Sequence, residues 1–314
     1  VEVLAADRPV VVALEVLAAA APGLPAYLSS DGGPAARQAL LADPWWRSDY
    51  QDGRRSAAMA HLIERVRRLR VGGARVEVLA IDAMPTDGTD RDEALARNVR
   101  AVREAHLGAT LVVYAGNLHT ARKGVPGLGG RTMMAGHLAR GGLAFVSLNP
   151  RYDEGTAWVC MGPKPADCGP RVVGGARVAP GVHLEPTPDG NYDGWIGLGP
   201  LTASPPAAFP ALAEGLDARL AALRDGPEAW RGRARRAAAT GDYAACLAHY
   251  AHVTSPTGDD AYDQACCHAR LGHTDAAFER LGYALAHGFS DLAHARVDPD
   301  LEGLHADPRW PPTR

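Results

Sequence analysis

Apolar positions fall into two periods along the chain. Short β-branched runs, PVVVALE (9–15), ARVEVLAID (74–82), TLVVYAG (110–116) and LAFVSL (143–148), read as strands covered on both faces. Between them apolar residues recur at helical spacing. Met59, Leu62, Ile63, Val66 and Leu69 mark a helix over 56–70. Leu95, Val99 and Val102 mark another over 90–106, with Asp90 as its N-cap, and a shorter helix is expected over 132–140. Strand and helix in alternation predict an α/β fold: a mostly parallel, doubly wound sheet with flanking helices.

The pattern changes after residue 155. Glycine and proline become dense up to about residue 210, with two short strands, TAWVC and YDGWIGL, in an irregular extension at the sheet edge. The remaining text is helical. Two helix pairs turn at Gly241 and Gly272, about 30 residues apart, close to the tetratricopeptide period. The ending DPDLEGLHADPRW resembles the closing segment of tetratricopeptide arrays. It implies that Leu301, Leu304 and Trp310 close the open end of the repeat. Residues 1–210 and 211–314 are therefore expected as an α/β domain and an all-α helical-repeat tail. If the tail docks a protein partner, Tyr243, Tyr250 and Arg280 should be exposed; if it is a structural cap, they should be buried.

Composition narrows the classes. A net charge of −3 supplies no basic field, which excludes a phosphate-backbone binder and hence a nucleic-acid partner. No apolar run is long enough to span a membrane. Of the five cysteines, Cys160 and Cys168 read equally as a disulfide or as two free thiols; Cys246, Cys266 and Cys267 read as small packed side chains. Val1–Ala6 reads as the end of a helix already under way, so an N-terminal strand is expected upstream and the sheet is expected to be incomplete beside residues 9–14. Any export signal would lie there too, and a cytoplasmic and an envelope location both stay open.

In open parallel sheets, ligands bind beyond the carboxyl ends of the strands. Three ends carry polar residues: Glu15, Asp82, and the GNLH turn that delivers His119. A histidine there suits a general base, and Glu15 suits a partner, an acid or a co-ligand of a divalent metal. Each residue alone has a plainer reading as a cap or a turn; the three together favour a site. Arg54, Arg55 and Arg91 lie at helix starts, where cations oppose the helix dipole; a buried anion-binding role would explain that placement, a solvated face is the alternative, and for Arg55 both stay open. His61 and Glu64 lack the second histidine of a zinc motif and read as a surface pair.

The series VVVALE, a Trp–Trp pair, QDGRRSAAMAHLI, RDEALARNV and VVYAGNLH resembles the erythromycin esterase-like superfamily, which includes the ChaN-like haem-uptake and Tiki/TraB groups. The match covers roughly 9–121. It implies catalytic roles for His119, Glu15 and Arg91. Asn117, Arg54, Asn98 and Asp82 would bind substrate, and Gly53, Arg54 and Ser56 match the family's DGR-S turn. A metal, if used, would sit on His119 and Glu15. The first-strand G-E-x-H-G motif of the family is absent from this sequence. The resemblance implies the first two of three functions, and the repeat tail, with a decayed site, supplies the third. The first is a hydrolase of a small-molecule or peptide ester or amide. The second is a haem- or ligand-binding protein that approaches its ligand through Tyr114, His119 or Tyr152. The third is an interaction protein that works through its tail.

Overall fold

The computed structural model of the chain describes residues 2–85, 87–124, 130–175 and 178–310. It is a mixture of helices and sheets that includes a small parallel sheet. Three of the β-branched runs form that sheet, as β1 (Val10–Leu17), β2 (Val76–Asp82) and β3 (Thr110–Tyr114), in the order β2-β1-β3. Both pairings are parallel, with Val12 opposite Val78 on one side and Val112 on the other. The expectation that the sheet would be incomplete beside residues 9–14 is corrected: β1 is the central strand and is paired on both edges, so the outer edges belong to β2 and β3.

Helices of this part are α1 (Glu2–Asp7), α2 (Leu24–Leu28), α3 (Pro34–Leu41), α4 (Ala57–Val71), α5 (Arg91–Ala105) and α6 (Met134–Arg140). Side chains alternate across a strand. Accordingly Val10, Val12, Leu14 and Val16 pack with Met59, Ile63 and Val66 of α4. Ala13 and Ile81 join Leu95 and Val99 of α5 and Met134 and Leu138 of α6 in a second core. Asp90 caps α5 as expected, its carboxylate accepting from the Asp92 amide at 2.8 Å. Ser56 caps α4, accepting from the Met59 amide at 3.3 Å. His61 and Glu64 do not pair; Glu64 is taken by the Tyr27 hydroxyl, Arg67 and Arg68, and hydrogen bonds led by Arg67 pull its carboxyl down to about 2.

LAFVSL does not extend the sheet. Residues 143–147 form no strand; β4 (Leu148–Arg151) starts at the end of the run and pairs elsewhere. Side chains have claimed the backbone groups that a ladder would use. The Phe145 carbonyl accepts from Arg122 at 2.8 Å and the Ser147 amide donates to Asp193 at 2.7 Å. The glycine- and proline-rich stretch holds β5 (Gly155–Cys160), β6 (Cys168–Val173), β7 (Gly181–His183) and β8 (Gly194–Gly197). One small sheet runs β4-β8-β7, and β5 and β6 form a hairpin closed by a Cys160–Cys168 disulfide. The Trp158 indole of that hairpin donates to the Gln51 carbonyl at 3.0 Å, fastening it beside the DGR turn.

The chain divides into two compact units, Val1–Leu216 and Asp217–Arg314. The second contains most of α7 (Leu216–Arg224), then α8 (Pro227–Ala239), α9 (Tyr243–Tyr250), α10 (Gly258–Arg270), α11 (Thr274–Ala286) and α12 (Leu292–Ala295). Gly241 and Gly272 end α8 and α10 with φ of 80° and 73°, left-handed values that a side chain disfavours. Leu301 and Leu304 are buried against α10 and α11, with Trp310 half-buried beside them. Tyr250 is buried and bonded to Asp263, whereas Tyr243 and Arg280 are half-buried. The cysteines differ from expectation: Cys246 and Cys267 form a disulfide joining α9 to α10, and only Cys266 is a free, buried thiol. The small-residue reading missed this pair because sequence spacing does not show which helix faces meet. Among the described residues no helix is long and apolar enough to cross a membrane.

Candidate functional site

Four of the expected residues, Glu15, Asp82, Arg91 and His119, meet at the carboxyl ends of the parallel strands, and Arg54 joins them from the DGR turn. The pairing register between β1 and β2 shifts between Leu14 and Leu17, which places Glu15 at an irregularity rather than in a regular ladder. Such bulges re-aim a side chain. Glu15 is only 5% exposed. One of its carboxylate oxygens accepts from Arg54 Nη1 and, at 2.8 Å, from Arg91 Nη2; the other accepts from the Gly116 amide at 2.7 Å. Asp82, at the end of β2, receives Arg91 in a two-pronged pair, Nε at 3.0 Å and Nη2 at 2.6 Å.

Arg91 is the first residue of α5, where its charge opposes the helix dipole. Two buried carboxylates account for that placement. Asp52 does the same for Arg54: it caps the short turn Gly53–Arg55, accepting from the Arg54 amide at 3.0 Å and from Nη2 at 2.7 Å. Gly53 is required there, because a Cβ would lie 2.9 Å from the Trp158 carbonyl. Arg55 donates through Nε to the Trp45 carbonyl at 2.6 Å and pairs through Nη1 with Asp52 at 3.0 Å, so it touches the cluster only through Asp52.

His119 is carried by the turn after β3. Its amide donates to the Gly116 carbonyl at 3.0 Å and its carbonyl accepts from Ala135 at 2.9 Å. Its ring lies between Asp92 Oδ1, 2.6 Å from Nδ1, and Arg91 Nη1, 3.1 Å from Nε2. Nε2 also lies 3.5 Å from Glu15 Oε1, longer than an ordinary hydrogen bond; arginine has no acceptor, so in the shorter Arg91 contact Nε2 is the acceptor. The ring proton is then on Nδ1, donated to Asp92. This assignment follows from the hydrogen-bond network. Asp92 is 1% exposed and also accepts from the Met134 amide at 2.9 Å.

Charge explains how buried carboxylates stay ionised. Burial raises the Glu15 carboxyl, but Arg54, the Gly116 amide and Arg91 outweigh it and hold it below the ordinary value. Asp92 is likewise raised by burial and lowered further by His119, the Met134 amide and Arg131. Burial disfavours the Arg91 cation, yet Asp82 and Glu15 raise it above the usual arginine value.

The other expected residues lie apart. Asn98 donates to the Ile81 carbonyl at 2.8 Å, so its amide ties α5 to the end of β2 and does not face the cluster. Asn117 is exposed, and its carbonyl accepts from the Tyr192 hydroxyl at 2.8 Å. Sequence reading did not single out Asp52 or Asp92. Asp92 follows Arg91 in an acidic first turn, which ordinary helix-dipole compensation already explains, so nothing separated it from Glu93.

Comparison with known proteins gives no match. No family model, no curated protein and no solved structure matches the chain.

A metal or haem iron fits the cluster poorly. The Glu15 oxygens and His119 Nε2 face guanidinium and amide donors. Among the described residues no group of three or more His, Cys, Asp or Glu is placed to hold a metal. A cavity of about 470 Å³ lined by Arg70, Arg75, Glu77 and His106 lies at the amino ends of the strands, away from this chemistry.

Proposed function

We propose that the chain is a hydrolase acting on an ester or amide, with His119 as general base, Asp92 as its positioning residue and Arg91 as the oxyanion donor. The observation that carries this reading is the string Asp92–His119–Arg91, with contacts of 2.6 and 3.1 Å on the two ring nitrogens. A substrate carbonyl and a water entering between Nε2 and Nη1 would take over that last contact. The water gives its proton to Nε2 while its oxygen bonds to the carbonyl carbon. The carbonyl electron pair moves onto oxygen and is stabilised by Arg91. The proton on Nε2 then passes to the departing alcohol or amine as its bond to carbon breaks, leaving the acid and a neutral imidazole. Glu15 and Asp82 hold Arg91 in place through its other nitrogens. The resemblance to the erythromycin esterase-like proteins supports the same reading through Glu15, Arg91 and His119. For the tail, Tyr250 is buried as a structural cap requires, whereas Tyr243 and Arg280 are half-buried and favour neither role.

The test is hydrolysis of a panel of aryl esters, lactones and aryl amides by the full chain and by His119→Ala. We expect turnover of at least one substrate, reduced about 10²–10⁴-fold in kcat by the substitution. No turnover by the unaltered chain across the panel, or equal turnover by both proteins, would sink the proposal.

A further inference from the structure

Beyond the cluster, the loop that carries His119 continues into a second feature. Arg122, Lys123, Thr132, Gly136, Ala139 and Arg140 line a cavity of about 270 Å³. Three of the six are cations, and the cavity wall is held firmly. The Arg122 amide donates to the Asn191 carbonyl at 3.1 Å and the Lys123 amide to Asn191 Oδ1 at 2.8 Å. Asn191 itself is 5% exposed. The Arg122 guanidinium is fixed by Asp193 at 2.5 Å, by the Phe145 carbonyl at 2.8 Å and by the Phe145 ring, 4.1 Å away. Gly136 lets α6 approach this wall, since a Cβ there would lie 2.8 Å from the Arg122 carbonyl.

The charges do not balance. Asp193 neutralises Arg122, but among the described residues Lys123 and Arg140 have no carboxylate partner. Asp189 adjoins Gly190, over which Lys123 Nζ lies; bonded to the neutral donors of Thr187 and Asn191, it keeps its negative charge and offsets Lys123 in part, which leaves Arg140 as the excess cation. The neighbouring text VPGLG (125–129) contains no acidic residue. A lysine or arginine alone on a surface is ordinarily just solvated. Three cations against two carboxylates give this concavity an excess positive charge, with Thr132 beside it and a wall anchored by a buried asparagine, a lining that suits an oxyanion.

We propose that this cavity binds a phosphate group, either free inorganic phosphate or the phosphate of a small phosphate ester. The inference stands on residues outside the catalytic cluster and does not depend on the hydrolase reading. It is tested by titrating inorganic phosphate and phenyl phosphate separately into the full chain at constant ionic strength, followed by calorimetry. The comparison is the double variant Lys123→Ala/Arg140→Ala, both exposed positions, with its fold checked by circular dichroism. Saturable binding that weakens tenfold or more in the double variant is the expected result. Tighter binding of phenyl phosphate then assigns the site to a phosphate ester, and equal or weaker binding assigns it to free phosphate. Absence of saturable binding by both, or binding undiminished in the double variant, overturns the proposal.

Discussion

Arg91→Ala is expected to cost about 3–5 kcal/mol of folding stability, the range for removing one partner of a buried ion pair. Arg91 serves two carboxylates at once, Glu15 and Asp82, which are 5% and 7% exposed. Without it, Arg54 is the remaining guanidinium within 4.0 Å of either. The side chain of Arg91 is itself 25% exposed, so water entering the gap would bring the loss toward the lower end of that range. The pH dependence gives the claim a sign. The Glu15 carboxyl is depressed in the folded chain. Its contribution is therefore complete above the ordinary carboxylate range and is lost as pH falls through the depressed value. Removing Arg91 shrinks that depression, so the gap between the two proteins should be widest near neutral pH and narrow on acidification. Urea unfolding across pH measures it. A gap below about 1 kcal/mol at neutral pH, typical of a surface pair, would show that the cluster is not buried in the way described. Arg91→Lys should recover only part of the loss, because an ammonium cannot reproduce the two-pronged bond to Asp82.

The second large effect is on rate. Asp92→Ala is expected to lower kcat about 10²–10⁴-fold with little change in KM, because it frees the imidazole to rotate and to move its proton to Nε2. Asp92→Asn should be milder. The single oxygen Oδ1 accepts from both His119 and the Met134 amide, and an asparagine oxygen can keep both contacts. Its new amide would face Arg131, which is half-exposed and free to withdraw. A merely structural Asp92 would lower stability in both variants without separating their kcat values. Kinetics well below each variant's melting temperature distinguish the two.

What was legible in the sequence follows from which signals are local. The β-branched runs and the amphipathic helices over 56–70 and 90–106 were readable because burial on two faces or on one stripe leaves a period in the sequence. Glu15, Asp82 and His119 were readable because parallel strands bring their carboxyl ends together whatever the details of packing. Asp92 was not, since an acid in a first helical turn is explained without any site. Asn98 was assigned to substrate on resemblance, but a side-chain amide is equally suited to a strand's last carbonyl, and that is where it points. LAFVSL was mistaken for a fourth strand of the sheet because hydropathy does not reveal that Arg122 and Asp193 take its backbone groups. The Cys246–Cys267 pair was hidden for a related reason: two helices must first be packed before their facing residues are known.

The account rests on His119 presenting an unprotonated Nε2 because Asp92 holds the proton on Nδ1. A long-range ¹H–¹⁵N correlation spectrum of the imidazole side chains, with His119 assigned by its loss in His119→Ala, reads that tautomer without any substrate. The account predicts a proton on Nδ1 and none on Nε2, and a shift of population toward the Nε2–H form in Asp92→Ala. A neutral ring carrying its proton on Nε2 in the unaltered chain would contradict it.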